Sequence, residues 1–173
     1  MFKIDKFDFG VVYWITGLSG AGKTTIGKLF YNKLRQMKQN VIFLDGDILR
    51  EVFGNDLGYT AEDRYKSAMR NARICNMLAC QGIDVICCTI SMFDDVRAWN
   101  RENIKNYREI YLKVDDNVLM KRNQKGLYES SKHELVGFGV NMEYPKQPDM
   151  IIENNGTELP EEIVEKIEEY FKL

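Results

Sequence analysis

Residues 17–24, Gly-Leu-Ser-Gly-Ala-Gly-Lys-Thr, constrain this chain more than any other stretch, because they fill every fixed position of the phosphate-cradling pattern Gly, four free residues, Gly, Lys, then Ser or Thr. The flanks supply the context that the pattern requires. Residues 11–16 are a β-branched and aromatic run suited to a buried strand. Downstream, Ile26, Leu29, Phe30, Leu34 and Met37 recur at helical spacing. Glycines let successive backbone N–H groups turn toward one anion, and the helix N-terminus adds the positive end of its dipole. Lys23 adds a mobile charge, and the Thr24 hydroxyl can complete a magnesium shell. The spacing predicts a nucleoside-triphosphate site at a strand-to-helix turn.

The rest of the chain reads as repeated strand and helix. Residues 41–44 form a second apolar strand ending in the carboxylates Asp45 and Asp47 around Gly46, a tight turn. A glycine-punctuated loop follows, with Arg50 and residues 53–59. Thr60 caps a helix running to Gln81, with Ala68, Ala72, Cys75, Leu78 and Ala79 inward and Arg64, Ser67, Arg70, Asn71 and Arg73 on other faces. Residues 84–90 are a third strand with Ser91 at its edge, 93–106 a polar helix, 109–114 a fourth strand, and 115–120 a short capped helix. Residues 121–147 break periodicity and mix basic, glycine and aromatic residues, as a mobile lid over the site would; His133 within them reads as solvated. Residues 150–153 make a fifth strand and 160–171 an amphipathic helix facing inward with Ile163, Val164, Ile167 and Phe171.

This alternation predicts an α/β, three-layer P-loop NTPase fold, a five-stranded parallel sheet with helices on both faces, in a single domain over 1–173 with a lid at about 121–147. A chain of 173 residues can bury about 70% of its unfolded surface, enough for a real core. Net charge is −2 with basic and acidic residues interspersed, which argues against a nucleic-acid partner. No secretion signal and no apolar run of about 20 residues is visible, so no membrane is implied and a cytoplasmic location is expected. Cys75, Cys80, Cys87 and Cys88 lack paired spacing and read as reduced structural thiols. A homodimer is the default assembly for a small enzyme.

Beyond the phosphate loop, further segments resemble the adenylylsulfate kinase family, which phosphorylates the ribose 3′-hydroxyl of adenosine 5′-phosphosulfate with MgATP. They are Leu-Asp-Gly-Asp at 44–47 followed by Arg50, Asn-Asp-Leu-Gly-Tyr-Thr-Ala-Glu-Asp-Arg at 55–64, Thr-Ile-Ser at 89–91, Lys-Gly-Leu-Tyr at 125–128 and Gly-Phe at 137–138. The resemblance implies ATP phosphates on Gly20, Ala21, Gly22, Lys23, Thr24 and Thr25, Mg2+ at Thr24 with Asp45 organising its waters, and Arg122 stacked on the ATP adenine. It implies that Asp47 directs the 3′-hydroxyl proton, with Lys23, Asp45 and Asp47 as the catalytic set. On the acceptor side it implies Arg50 and Arg64 on an anionic group, Tyr59 and Phe138 as an aromatic clamp, Lys125 over the acceptor phosphates, and Ser67, Ile90, Ser91 and Leu127 in contact.

Departures from the family pattern cluster on that acceptor side. Ser67 stands where Asn is usual, Ser91-Met92-Phe93-Asp94 where Ser-Pro-aromatic-Arg is usual, and Phe138-Gly139-Val140 where Phe-Thr-Gly is usual. Asp94 in place of Arg implies repulsion of an anion. The changes favour the related branch that uses cytidine diphosphoramidate in phosphoramidate decoration of bacterial capsules, with adenosine 5′-phosphosulfate the alternative. A nucleoside monophosphate or polyol kinase, or an ATP-dependent binding module, would share only the phosphate loop and lid.

Overall fold

Five short runs of alternating apolar residues become the strands of one parallel sheet in the computed structural model, which describes residues 8–122 and 142–173. In chain order the elements are β1 (Val12–Thr16), α1 (Lys23–Met37), β2 (Val41–Asp45), α2 (Gly46–Val52), α3 (Ala61–Ala79), β3 (Asp84–Thr89), α4 (Asp94–Asn103), β4 (Tyr107–Lys113), α5 (Asp116–Arg122), β5 (Met150–Glu153) and α6 (Pro160–Phe171). The strands lie in the order β2-β3-β1-β4-β5, every neighbouring pair parallel. β1 sits at the centre, so the loop that leaves it opens at the crevice outside the carboxyl ends of the strands, where α/β sheets bind ligands.

Period-two alternation splits each strand between two cores. Tyr13, Ile15, Ile86, Cys88, Ile110 and Leu112 pack under α1 and α6 with Ile26, Phe30, Leu34, Ile163 and Ile167. Val12, Trp14, Val85 and Cys87 pack under α3 and α4 with Ala68, Ala72, Cys75 and Val96. The expected three layers are therefore present, and each large side chain fully buried this way contributes about 1.5–3 kcal/mol. The four thiols are free, and Cys87 and Cys88 face opposite cores as alternation requires. Gly27 lets α1 approach the sheet: a Cβ there would stand 2.3 Å from Cys88 Sγ.

Several expectations are corrected. The stretch after Asp45 is not a plain turn and loop but α2, because the Asp45 carboxylate accepts from the Asp47 amide at 3.0 Å and caps the new helix. Met37 is exposed rather than inward. The polar helix ends at Asn103, since Asn106 O already accepts from Val12 N and draws the chain toward the sheet, where β4 begins at Tyr107. α3 ends at Ala79 and α5 extends through Arg122, so residues 121 and 122 are helical rather than irregular. Asn71, expected on an outer face of α3, is buried. Residues 123–141, which hold most of the expected lid with Lys125, Leu127, His133 and Phe138, lie outside the described residues. No described helix is long and apolar enough to cross a membrane.

Candidate active site

Between the loop after β1 and the N-terminal halves of α2 and α3 lies a cleft of about 450 Å3. Its walls carry Gly20, Gly22, Lys23 and Thr24 on one side and Arg50, Tyr59, Arg64, Ser67 and Ile90 on the other, with Asp45 and Asp47 between and Arg122 at the edge.

The phosphate-loop side is built largely from backbone. Gly22 caps α1 at φ +90, a conformation that L side chains rarely adopt, and a Cβ there would sit 2.7 Å from Asn154 Nδ2. Asn154 Nδ2 in turn donates to Ala21 O at 2.9 Å, so the turn after β5 braces the loop. Arg122 Nη1 donates to Gly20 O at 3.3 Å, which carries the end of α5 to the same place. Lys23 folds onto its own loop, Nζ donating to Leu18 O at 2.8 Å. Burial pulls its pKa down to about 8, with nearby Cys88, Asp47 and Asp45 opposing the fall. Ala21 is packed beneath the loop and Thr25 is exposed beyond the cleft wall, so neither side chain lines the cleft.

The paired acids divide. Asp45 is buried at the end of β2, one oxygen taking the Asp47 amide and the other the Thr24 hydroxyl at 2.7 Å. Asp47, the second residue of α2, is exposed to the cleft, and its carboxylate has no hydrogen-bond partner among the described residues. Asp45 is thus committed to holding the loop, while Asp47 is available to a ligand.

On the far wall Arg50 and Arg64 surround Tyr59, their guanidinium carbons 4.6 Å and 5.3 Å from the ring centroid. Arg50 Nη1 donates to Leu57 O at 2.7 Å and Gly58 O at 3.0 Å, and Arg64 Nε donates to Tyr59 O at 2.8 Å. Each arginine therefore shapes the loop before α3 as well as adding positive charge. Ser67 and Ile90 line the cleft, whereas Ser91 does not: the chain turns inward after β3, burying Ser91, and Arg97 Nη1 holds its carbonyl at 3.0 Å.

Asp94 does not meet the cleft either. It pairs with Lys146 at 2.6 Å and with Arg97, which hold its carboxyl below the usual carboxylate range, so its charge is neutralised locally and the expected repulsion is absent. Arg97 also donates to Glu143 O and lies 3.7 Å from the buried Glu109, whose pKa is raised by burial against the pull of Arg101 and Arg97. This cluster fastens residues 143–149 to α4 and β4.

Sequence reasoning missed Ser19, Ala68, Cys88 and Thr89 as wall residues, and named Asn71 only among several α3 residues of which one or two could reach a cleft. Only Asn71 had a visible signal, a carboxamide one helical turn after Ser67.

The model of the adenylylsulphate kinase family matches residues 9–153. A cytidine diphosphoramidate kinase of Campylobacter jejuni is 42% identical over 90% of this chain and 93% of its own length. An adenylyl-sulfate kinase of Halothermothrix orenii is 35% identical over 94% of this chain and 90% of its own. Among solved structures, the APS kinase of Mycobacterium tuberculosis in complex with AMPPNP and APS superposes with a TM-score of 0.86 at 26% identity, covering 95% of this chain and 99% of that one. A cleft at the switch point of this sheet and a family match spanning most of the chain lead to one conclusion: the protein belongs to the adenylylsulphate kinase family, phosphotransferases that act on a hydroxyl.

Proposed function

We propose that the protein transfers the γ-phosphoryl group of MgATP to the ribose 3′-hydroxyl of cytidine diphosphoramidate, in the cytoplasm, for phosphoramidate decoration of a capsule. The observation that carries the acceptor is the 42% identity to a cytidine diphosphoramidate kinase over nearly the full length of both chains, against 35% for an adenylyl-sulfate kinase of comparable coverage. Adenosine 5′-phosphosulfate is the second reading, favoured by the close fold match to a kinase holding APS.

In this reading the loop amides and Lys23 hold the β- and γ-phosphates, and Arg122 stacks on the adenine. Thr24 Oγ1 and Asp45 Oδ2, 2.7 Å apart, are hard oxygen donors of the kind Mg2+ takes directly or through water alongside phosphate oxygens, so the pair fits the ion. When bound, Mg2+ neutralises charge on the transferring group. Asp47 orients the acceptor O3′ and takes its proton as the O3′–Pγ bond forms. The bond from Pγ to the bridging oxygen breaks, and its electron pair leaves with ADP. Tyr59 offers a face to the acceptor base once a guanidinium moves aside, and Arg50 and Arg64 balance the acceptor's negative charge. Positioning and charge carry most of the acceleration, since phosphoryl transfer asks little covalent chemistry of the protein.

Steady-state assays with each acceptor, with the product resolved by phosphorus NMR, test the proposal. The expected result is phosphate on the 3′-oxygen and kcat/KM at least about tenfold higher for the cytidine compound, a difference of about 1.4 kcal/mol. A tenfold preference for the phosphosulfate, or phosphate on another oxygen, would overturn it.

A further inference from the structure

Asn71 is a buried polar residue of the cleft wall to which the proposed transfer assigns no role. It is 2% exposed, yet it lines the cleft. Its Nδ2 reaches Thr89 Oγ1 at 3.5 Å, and Thr89, at the carboxyl end of β3, is itself buried. No described residue donates to Asn71 Oδ1. Anchored on Thr89 by its nitrogen, the carboxamide thus presents a carbonyl oxygen to the cleft. That oxygen is not among the fully buried atoms left without a partner, so it opens to the cleft, where a ligand N–H or O–H can take its lone pair in place of water.

Which part of the acceptor it meets follows from the exposure of the two ends of the cleft. Tyr59 is 57% exposed, so a base stacked on it lies at the rim. Arg64, Ser67 or Ala68, and Asn71 follow one stripe of α3 inward from that rim, a descent of about 10 Å at 1.5 Å per residue. With the base at the rim and the ribose at Asp47, the terminal group of the 5′ chain is the part that reaches the buried end.

Resting on the cytidine diphosphoramidate reading, we infer that Asn71, oriented by Thr89, is a specificity-determining residue that accepts a hydrogen bond from the terminal phosphoramidate nitrogen. A P–NH2 group donates where a terminal sulfate offers only acceptor oxygens. Opposite Asn71 Oδ1, the sulfate would set lone pairs against lone pairs. The site therefore discriminates between the two acceptors at their far end as well as at their bases.

The test compares kcat/KM for cytidine diphosphoramidate and cytidine 5′-phosphosulfate, which differ only at the terminal group, with uridine diphosphoramidate as the base control, using the full chain. Wild type should prefer the phosphoramidate over the phosphosulfate by about 10- to 100-fold. Asn71→Leu should bring that ratio to within about threefold, whereas Asn71→Asp, which keeps an acceptor oxygen, should preserve it. Thermal melts of both variants report folding. The inference is overturned if wild type shows no terminal-group preference, if Asn71→Leu lowers both cytidine acceptors by the same factor, or if it shifts the cytidine-to-uridine ratio instead. Transfer to an adenosine acceptor alone would overturn this inference together with the cytidine reading. A 3′-phosphorylated cytidine product with an unchanged terminal-group ratio would overturn this inference only.

Discussion

The two walls of the cleft are made in different ways. The wall proposed for ATP comes from one unbroken turn between β1 and α1 and is built chiefly of backbone, braced by Asn154 and Arg122. The wall proposed for the acceptor is gathered from α2, the loop before α3, the inner stripe of α3 and the end of β3, and it presents side chains. A backbone cradle tolerates little change in sequence, because glycine geometry is its substance. A side-chain wall can change its ligand one residue at a time. The departure from the family pattern at Ser67 belongs to the second kind of construction, whereas Asp94 lies outside the cleft, where Arg97 and Lys146 neutralise it.

Lys23→Ala should break the ATP wall hardest, lowering kcat about a thousandfold with an unchanged circular dichroism spectrum, because a charge on the transferring phosphoryl is lost. Asp47→Asn acts at the junction of the two walls. It should cost about a hundredfold in kcat while leaving the KM of ATP near its starting value, as pre-steady-state and steady-state rates would reveal. Tyr59→Ala belongs to the acceptor wall alone and should raise the acceptor KM about tenfold with little change for ATP. If both KM values rise together, the two walls are not independent.

The smallest effect is a pH dependence confined to the ATP wall. Burial favours the neutral amine of Lys23, so its charge is present below about pH 8 and lost above it. The kcat/KM for ATP, which reports the unliganded enzyme, should therefore be halved near that pH and fall about tenfold per unit beyond it. Lys23→Arg, charged throughout, should flatten the profile. An unchanged decline in that variant would assign it to another group.

Legibility in the sequence follows the same division. β5 and α6 are found at the residues that periodicity marks, and the phosphate loop lies where its pattern predicts, because each depends on neighbours within a few positions. α2 was hidden because a strand-ending Asp reads equally as a turn residue and as a helix cap, and the choice depends on which amide its carboxylate reaches. The family resemblance puts Ser91 and Asp94 at the acceptor, yet the inward turn after β3 and the grip of Arg97 take both away from the cleft.

By itself the sequence determined the α/β alternation, the triphosphate cradle and the presence of two acids at the tip of the second strand, since local spacing and backbone conformation are written in consecutive residues. Only the tertiary structure decided that Asp45 is buried against Thr24 while Asp47 faces the cleft, and that Asn71 is buried in the cleft wall beside Thr89. Those outcomes depend on strands and helices distant in sequence closing around a polar group, and burial of that kind is settled by packing rather than by any local pattern.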